Sequence, residues 1–183
     1  SQEEFSVRMF NRYTFLTEEF DPTGTDGAVG LPGDIGYYYT SYEMQFQSDR
    51  RRVFSYSVQP GYGDFYNGNR FVMEGDLSLR LQPKMLLSLG VNYNSIMLPE
   101  PYASRDIWLV SPRIDLTFSK SVFWSTLVQY SNQADNLGIN SRLQWRFAPL
   151  SDLFLVYNDN YFVNTFMPRT RSVNLKLTYW LNI

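Results

Sequence analysis

Residues 171–183 read RSVNLKLTYWLNI, and this stretch decides the fold. Val173, Leu175, Leu177, Tyr179, Leu181 and Ile183 share one parity. Asn174, Lys176, Thr178 and Asn182 share the other, together with Trp180. Successive strand side chains point to opposite faces, so the pattern predicts a strand with one apolar and one mostly polar side. FVMEGDLSLRLQ (71–82) repeats it, with Phe71, Met73, Leu77, Leu79 and Leu81 opposing Glu74, Asp76, Ser78, Arg80 and Gln82. In INSRLQWRF (139–147), Ile139, Leu143, Trp145 and Phe147 oppose Asn140, Arg142, Gln144 and Arg146.

Extended along the chain, the same template predicts about ten strands. They fall near 5–16, 35–48, 52–60, 70–82, 85–96, 107–118, 122–131, 138–147, 153–159 and 171–183. The seventh and ninth alternate least cleanly, because Phe123, Leu127, Phe154 and Val156 take the polar parity. Short connections are expected at Ser48 to Arg51, Pro83-Lys84, Ser119 to Ser121 and Ala148 to Asp152. Longer ones, rich in Gly, Pro, Asn and aromatics, are expected at 17–34, 61–69, 97–106, 132–137 and 160–170. Long and short connections thus alternate strictly. An up-and-down meander with short turns at one rim and long loops at the other produces that order, as in outer-membrane barrels.

Composition narrows the function classes. The 183 residues contain no Cys and no His, which removes disulfides, thiolate metal sites and His-dependent catalytic pairs. Sixteen basic against 18 acidic residues give a net charge of −2, unlike a nucleic-acid binder. No apolar run reaches the roughly 18–20 residues of a membrane-spanning helix. The opening SQEEFSVRMF lacks the basic-then-apolar order of a signal peptide, suggesting a mature product or a chain whose start lies upstream. Fourteen Tyr, 14 Phe and 4 Trp suit strands with aromatic girdles.

Alternation alone does not tell inside from outside, and a soluble up-and-down barrel or lipocalin-type sandwich shares it. Three features favour lipid. Aromatics sit near strand ends (Tyr13 and Phe15, Tyr93, Trp108 and Phe118, Tyr179), and the polar parity mixes Arg with Asp or Glu. The terminal strand ends on Leu181 and Ile183. With Lys176 and Tyr179, these residues also look like the C-terminal signal read by the outer-membrane assembly machinery. The departure is Ile at the last position, where Phe is commoner.

GDFYNGNR (63–70), LRLQP (79–83), MLP (97–99), LTFSKS (116–121), LVQYSNQADNLGINSRLQWRF (127–147) and SDLFLVYND (151–159) carry a family resemblance. They resemble the C-terminal region of a domain-of-unknown-function family of Bacteroidota, with Gly63, Phe65, Arg70, Gln129, Tyr130, Asn140, Arg142, Trp145, Asp152 and Tyr157 among the matching positions. That family carries a signal peptide, an N-terminal sandwich similar to family 9 carbohydrate-binding modules, and a long C-terminal outer-membrane barrel. The resemblance implies that this chain is the last ten or so strands of a larger barrel. It supplies no catalytic residues, and implies at most a role in surface polysaccharide or nutrient handling.

Several motifs remain. Asp21 to Gly27 offers closely spaced oxygens, as a calcium loop does, but lacks the acidic spacing of an EF-hand and reads as a turn-rich loop. Tyr62, Phe65, Tyr66, Tyr161 and Phe162 in the long loops are candidate ligand contacts, able to stack on sugar rings or to pack the loops together. Arg50, Arg51 and Arg52 suit lipid phosphates at a rim. Glu74, Asp76, Arg80, Arg113, Asp115, Arg142, Arg146 and Lys176, with Arg8, Arg12 and Glu43, are expected to face the lumen, as a polar lining or as ion pairs. Glu74 and Asp76 share a face, but nothing else assembles a catalytic site around them.

The expectation is therefore all-β: an antiparallel up-and-down transmembrane β-barrel over 1–183, non-enzymatic, in the bacterial outer membrane. It would serve binding, uptake or passage of a glycan or small solute. The alternative is a structural anchor for an N-terminal binding or catalytic domain. Outer-membrane lipid and the assembly machinery are the expected partners. No cofactor, metal or nucleic acid is expected.

Overall fold

A computed structural model of the chain describes residues 2–181. Ile183, the last position of the expected terminal signal, lies outside them. Ten strands follow in order: β1 (Glu4–Leu16), β2 (Ile35–Gln47), β3 (Phe54–Phe65), β4 (Gly68–Leu81), β5 (Met85–Met97), β6 (Arg105–Thr117), β7 (Val122–Ser131), β8 (Asn136–Ala148), β9 (Ser151–Tyr161) and β10 (Pro168–Thr178). They form one antiparallel up-and-down sheet in which each strand lies beside its sequence neighbours, and no helix occurs among the described residues. The sheet is not closed into a barrel, and among the described residues no ladder joins β10 to β1.

Contacts divide the chain into two units. The first comprises Ser1–Asp49, Tyr56–Gly75 and Asn92–Trp108; the second comprises Arg50–Ser55, Asp76–Val91 and Leu109–Ile183. In the first, the β1–β2 register sets Phe5 against Phe46, Val7 against Met44, Met9 against Tyr42 and Tyr13 against Tyr38. Tyr42 also pairs with Tyr62, which continues the apolar face into β3. The opposite face carries Arg8 beside Glu43, Arg12 beside Tyr39 and Ser41 beside Gly63.

In the second unit, Leu143 lies between Trp124 and Leu155, and Leu155 pairs with Leu175. The other face aligns Asn140 with Asn158 and Ser172, and Gln144 with Phe154 and Lys176. Phe154, Val156 and Leu127 do take the polar side, as their parity predicts. Register shifts interrupt the ladders between Arg146 and Ala148 and between Pro168 and Thr170, where local irregularity re-aims the strand ends.

Very little of this apolar surface is covered. Among the described residues only Leu16, Leu31, Ile96 and Leu98 are buried apolar side chains. Val173, Leu175 and Leu177 are 65%, 69% and 65% exposed, and Phe5 is 66% exposed. The chain exposes 12324 Å², whereas a compact globular chain of 21.5 kDa exposes about 9,200 Å² by the usual mass scaling.

Two expectations about the connections change. The loop expected at 61–69 is only Tyr66-Asn67, because Gly61, Tyr62 and Gly63 continue the ladder with β2. Glycines carry no side chain to alternate, so strand backbone there reads as loop. Tyr66 makes the turn with a left-handed φ of 53°. The strict long–short alternation therefore fails at β3–β4, while 17–34 remains a long connection as expected. The terminal strand also stops at Thr178, leaving Tyr179 and Leu181 beyond it, and the Trp180 amide donates to Ser151 Oγ at 3.1 Å.

Gly68, just past the Tyr66 turn, is fixed by close approach. A Cβ there would collide with the Met97 carbonyl oxygen and lie 2.9 Å from Leu98 Cα. At Gly75 the nearest neighbour is 4.0 Å away. Gly68→Ala should therefore lower stability by about 1–3 kcal/mol, and Gly75→Ala should change it little. Denaturant midpoints of the detergent-refolded variants, followed by circular dichroism, measure both.

Candidate functional site

In the first unit, the polar face opens into a cavity of about 180 Å³ where Gly61 and Gly63 place no side chain. A Cβ on Gly61 would lie 3.3 Å from Glu43 Cγ, so a side chain there would crowd this wall of the basin. Around it stand Arg12 of β1, Tyr39, Ser41 and Glu43 of β2, Gln59 of β3, and Arg70, Val72 and Glu74 of β4. The β1–β2 register puts Arg12 beside Tyr39 and Arg8 beside Glu43, four residues along the strand. At about 3.4 Å per residue these two rows lie roughly 14 Å apart.

The carboxylates in this basin have local partners. Glu43 pairs with Arg8 at 3.9 Å and accepts from Gln59 Nε2 at 3.5 Å. Glu74 accepts from Asn92 Nδ2 at 3.3 Å, and Asp64 from the Thr40 amide at 3.4 Å. The cations are less engaged. Arg70 donates from Nε to Asn94 Oδ1 at 2.9 Å and lies 5.2 Å from the Phe65 ring centroid. Arg12 lies 5.3 Å from the Phe10 ring centroid, and among the described residues no carboxylate pairs with it.

Aromatic rings border the cavity at its β2–β4 end. Phe65 and Tyr66 meet at 4.7 Å, Tyr39 lies 6.2 Å from Phe65, and Tyr37 meets Tyr66 edge-on at 5.4 Å. Edge-to-face contacts at these separations are favourable beyond the area they cover. Burial in this cluster, with Tyr39 and Tyr37 alongside, pushes the Tyr66 hydroxyl above its ordinary value, so it stays neutral.

The 17–34 loop of this unit is held by its own polar residues. Asp21 Oδ1 accepts from the Thr23 amide at 2.8 Å and Thr23 Oγ1 at 2.7 Å, while Oδ2 accepts from the Thr25 amide at 2.8 Å. Arg105 Nη1 donates to the Thr23 and Gly24 carbonyls at 2.9 and 2.5 Å. Phe20 and Leu31 exchange backbone hydrogen bonds at 3.0 and 2.8 Å, and Leu31 is fully buried. Asp21 therefore acts as a turn-capping carboxylate. Partial burial works to raise its pKa, but the Thr23 and Thr25 donors and the Arg105 charge hold it below the ordinary range.

The residues expected in the site divide between the units. Phe65 and Glu74 line the basin, Tyr66 packs against Phe65, and Tyr62 touches the basin only from the strand that carries Gly61 and Gly63. Phe65 and Tyr62 belong to β3 rather than to a loop, and Tyr62 shares the exposed apolar face with Tyr42. In the second unit, Tyr161 ends β9 and its hydroxyl donates to Asp159 at 2.5 Å. Phe162 lies in the β9–β10 connection, with the Arg169 guanidinium 5.3 Å from its ring centroid.

Among the polar-face residues of this unit, Arg113 pairs with Asp115 through two nitrogens at 2.9 Å each. Arg146 pairs with Asp152 at 3.3 Å, and Arg80 donates to the Arg50 carbonyl at 3.3 Å. Arg142 aligns with Ser125 and Val156, Lys176 with Phe154, and Asp76 sits on β4.

Two features were not anticipated. Tyr39, Gln59 and Arg70 complete the basin, and their shared parity with Glu43 and Glu74 was the available signal. Asp159, only 1% exposed, sits on the apolar side of β9, where it accepts from Tyr157 and Tyr161 at 2.5 Å each and from Arg171 Nε at 2.9 Å. Its partnership with Arg171 follows from register, which a strand-by-strand reading does not contain.

The Asp21 cap has a definite pH signature. A carboxyl with a lowered folded pKa contributes stability above its unfolded value, and that contribution is lost as pH falls through the folded value. Protection of the Thr23 and Thr25 amides against hydrogen exchange, corrected for intrinsic rate, should hold from pH 7 to 5 and collapse below the ordinary carboxyl value of 3.8. Asp21→Ala should remove it at every pH. In comparisons with known proteins, no family model matches the chain and no curated protein matches it.

Proposed function

We propose that this chain forms part of a transmembrane β-barrel of the bacterial outer membrane that binds or passes a small polar solute without catalysis. One observation carries the membrane reading. Each unit presents a large apolar face to its surroundings, while only four apolar side chains are buried among the described residues. A water-soluble chain of this length would cover such surface with a second layer. Hydrocarbon would cover it here, and the antiparallel ladder meets the bilayer's demand that backbone groups be paired internally.

The edges at β1 and β10, unpaired among the described residues, would need partners in lipid, supplied by further strands of a larger barrel or by closure on each other. The Bacteroidota family resemblance agrees with that reading. β10, exposed along its whole length, is the segment available to the assembly machinery. The solute reading rests on the basin of Arg12, Arg70, Glu43 and Glu74 with its aromatic border, able to take a small polar solute such as a glycan unit.

Lipid contact is measurable through Trp145, which lies 48% exposed on the apolar face. Refolded into vesicles of brominated phosphatidylcholine, the chain should lose half or more of its tryptophan emission relative to ordinary vesicles. Trp145→Phe should remove part of the quenchable signal. Unchanged emission in brominated lipid would overturn the membrane reading.

A further inference from the structure

We propose that the basin binds a small organic anion, with the solute's carboxylate held between Arg12 and Arg70. The inference rests on the solute-binding reading above and specifies its chemistry. Glu43, Glu74 and Asp64 each accept a hydrogen bond from a neighbouring group, and Glu43 also pairs with Arg8. Arg70 uses only Nε, on Asn94, and Arg12 rests on a ring with no hydrogen bond to an acceptor among the described residues. The donors left over are the terminal nitrogens of two guanidinium groups lining one cavity. Guanidinium forks match carboxylate geometry, and a bound anion relieves the repulsion between two like charges.

Size and surroundings limit the ligand. About 180 Å³ holds about six waters at their liquid volume, hence the charged end and ring face of one small solute rather than an oligosaccharide buried whole. The cations stand toward the aromatic border formed by Tyr39 and Phe65, while Glu43 lies four residues further along β2. An anion with a polar ring would place its charge at the guanidinium end and its ring against Tyr39. A branched side chain at Gly61 would take space from it beside Glu43 and Val72.

The test uses the whole chain refolded in vesicles, with D-galacturonate, neutral D-galactose and acetate as probes followed by calorimetry. Galacturonate should bind at least tenfold more tightly than galactose or acetate, and more weakly as salt rises. Arg12→Gln and Arg70→Gln should each weaken it tenfold or more, whereas Arg169→Gln, an equal charge change elsewhere, should not. Gly61→Val should block binding without altering charge, which keeps the test decisive if an arginine variant misfolds.

Equal binding of galactose, equal binding of acetate, or indifference to both arginine changes would overturn the inference. So would absence of sugar binding by a chain whose tryptophans are quenched by brominated lipid, and the membrane reading would survive. Absence of quenching would instead remove the reading beneath it.

Discussion

The structure depends on a ladder of antiparallel hydrogen bonds whose apolar side has no protein layer against it. The ladder satisfies the backbone inside the sheet, so the element can leave water without stranding its polar groups. The uncovered side chains then set the environment. Large residues such as Phe5, Met9, Leu175 and Leu177 stand outward in rows. At about 25 cal/mol per Å² of apolar area, leaving several such rows in water costs more than the net stability of most domains.

Polar chemistry is distributed according to the same constraint. On one face, charged residues are spaced along strands and engage neighbours, as Arg113 does with Asp115 and Arg146 with Asp152. Such partly exposed pairs contribute little individually. On the other face a carboxylate cannot stand alone, and Asp159 is surrounded by Tyr157, Tyr161 and Arg171. Arg171 reaches outward while its partner stays covered, so one ion pair spans the boundary between the sheet surface and its surroundings. The basin differs because Arg12 and Arg70 line it with no ion pair among the described residues, while its acids Glu43, Glu74 and Asp64 accept hydrogen bonds from other neighbours.

Strand number and position were legible because alternation survives wherever side chains are large. β7 begins at Val122 and ends at Ser131 where the pattern places it, and β10 shows the apolar parity of its sequence. Legibility failed at Gly61 and Gly63, since a residue without a side chain carries no parity, and these positions make the cavity. It failed again where contacts cross long stretches of chain. Asp21 is readable as a turn former, but its link to Arg105 depends on how the first unit folds. Arg70 was visible as a strand residue, while its role beside Arg12 required the register of strands between them.

That link between the first long loop and the start of β6 also bears on the order of folding. Thr23 and Arg105 are separated by 82 positions in sequence. The β1–β2 hairpin pairs strands adjacent in sequence. The contacts of its loop with Arg105 require β3, β4 and β5 to bring that residue alongside. Contacts of such long sequence separation form late, because closing the intervening chain costs entropy before any reward is gained. The loop's anchorage to Arg105, unlike its local Asp21 cap, thus reports that the strands between them have assembled.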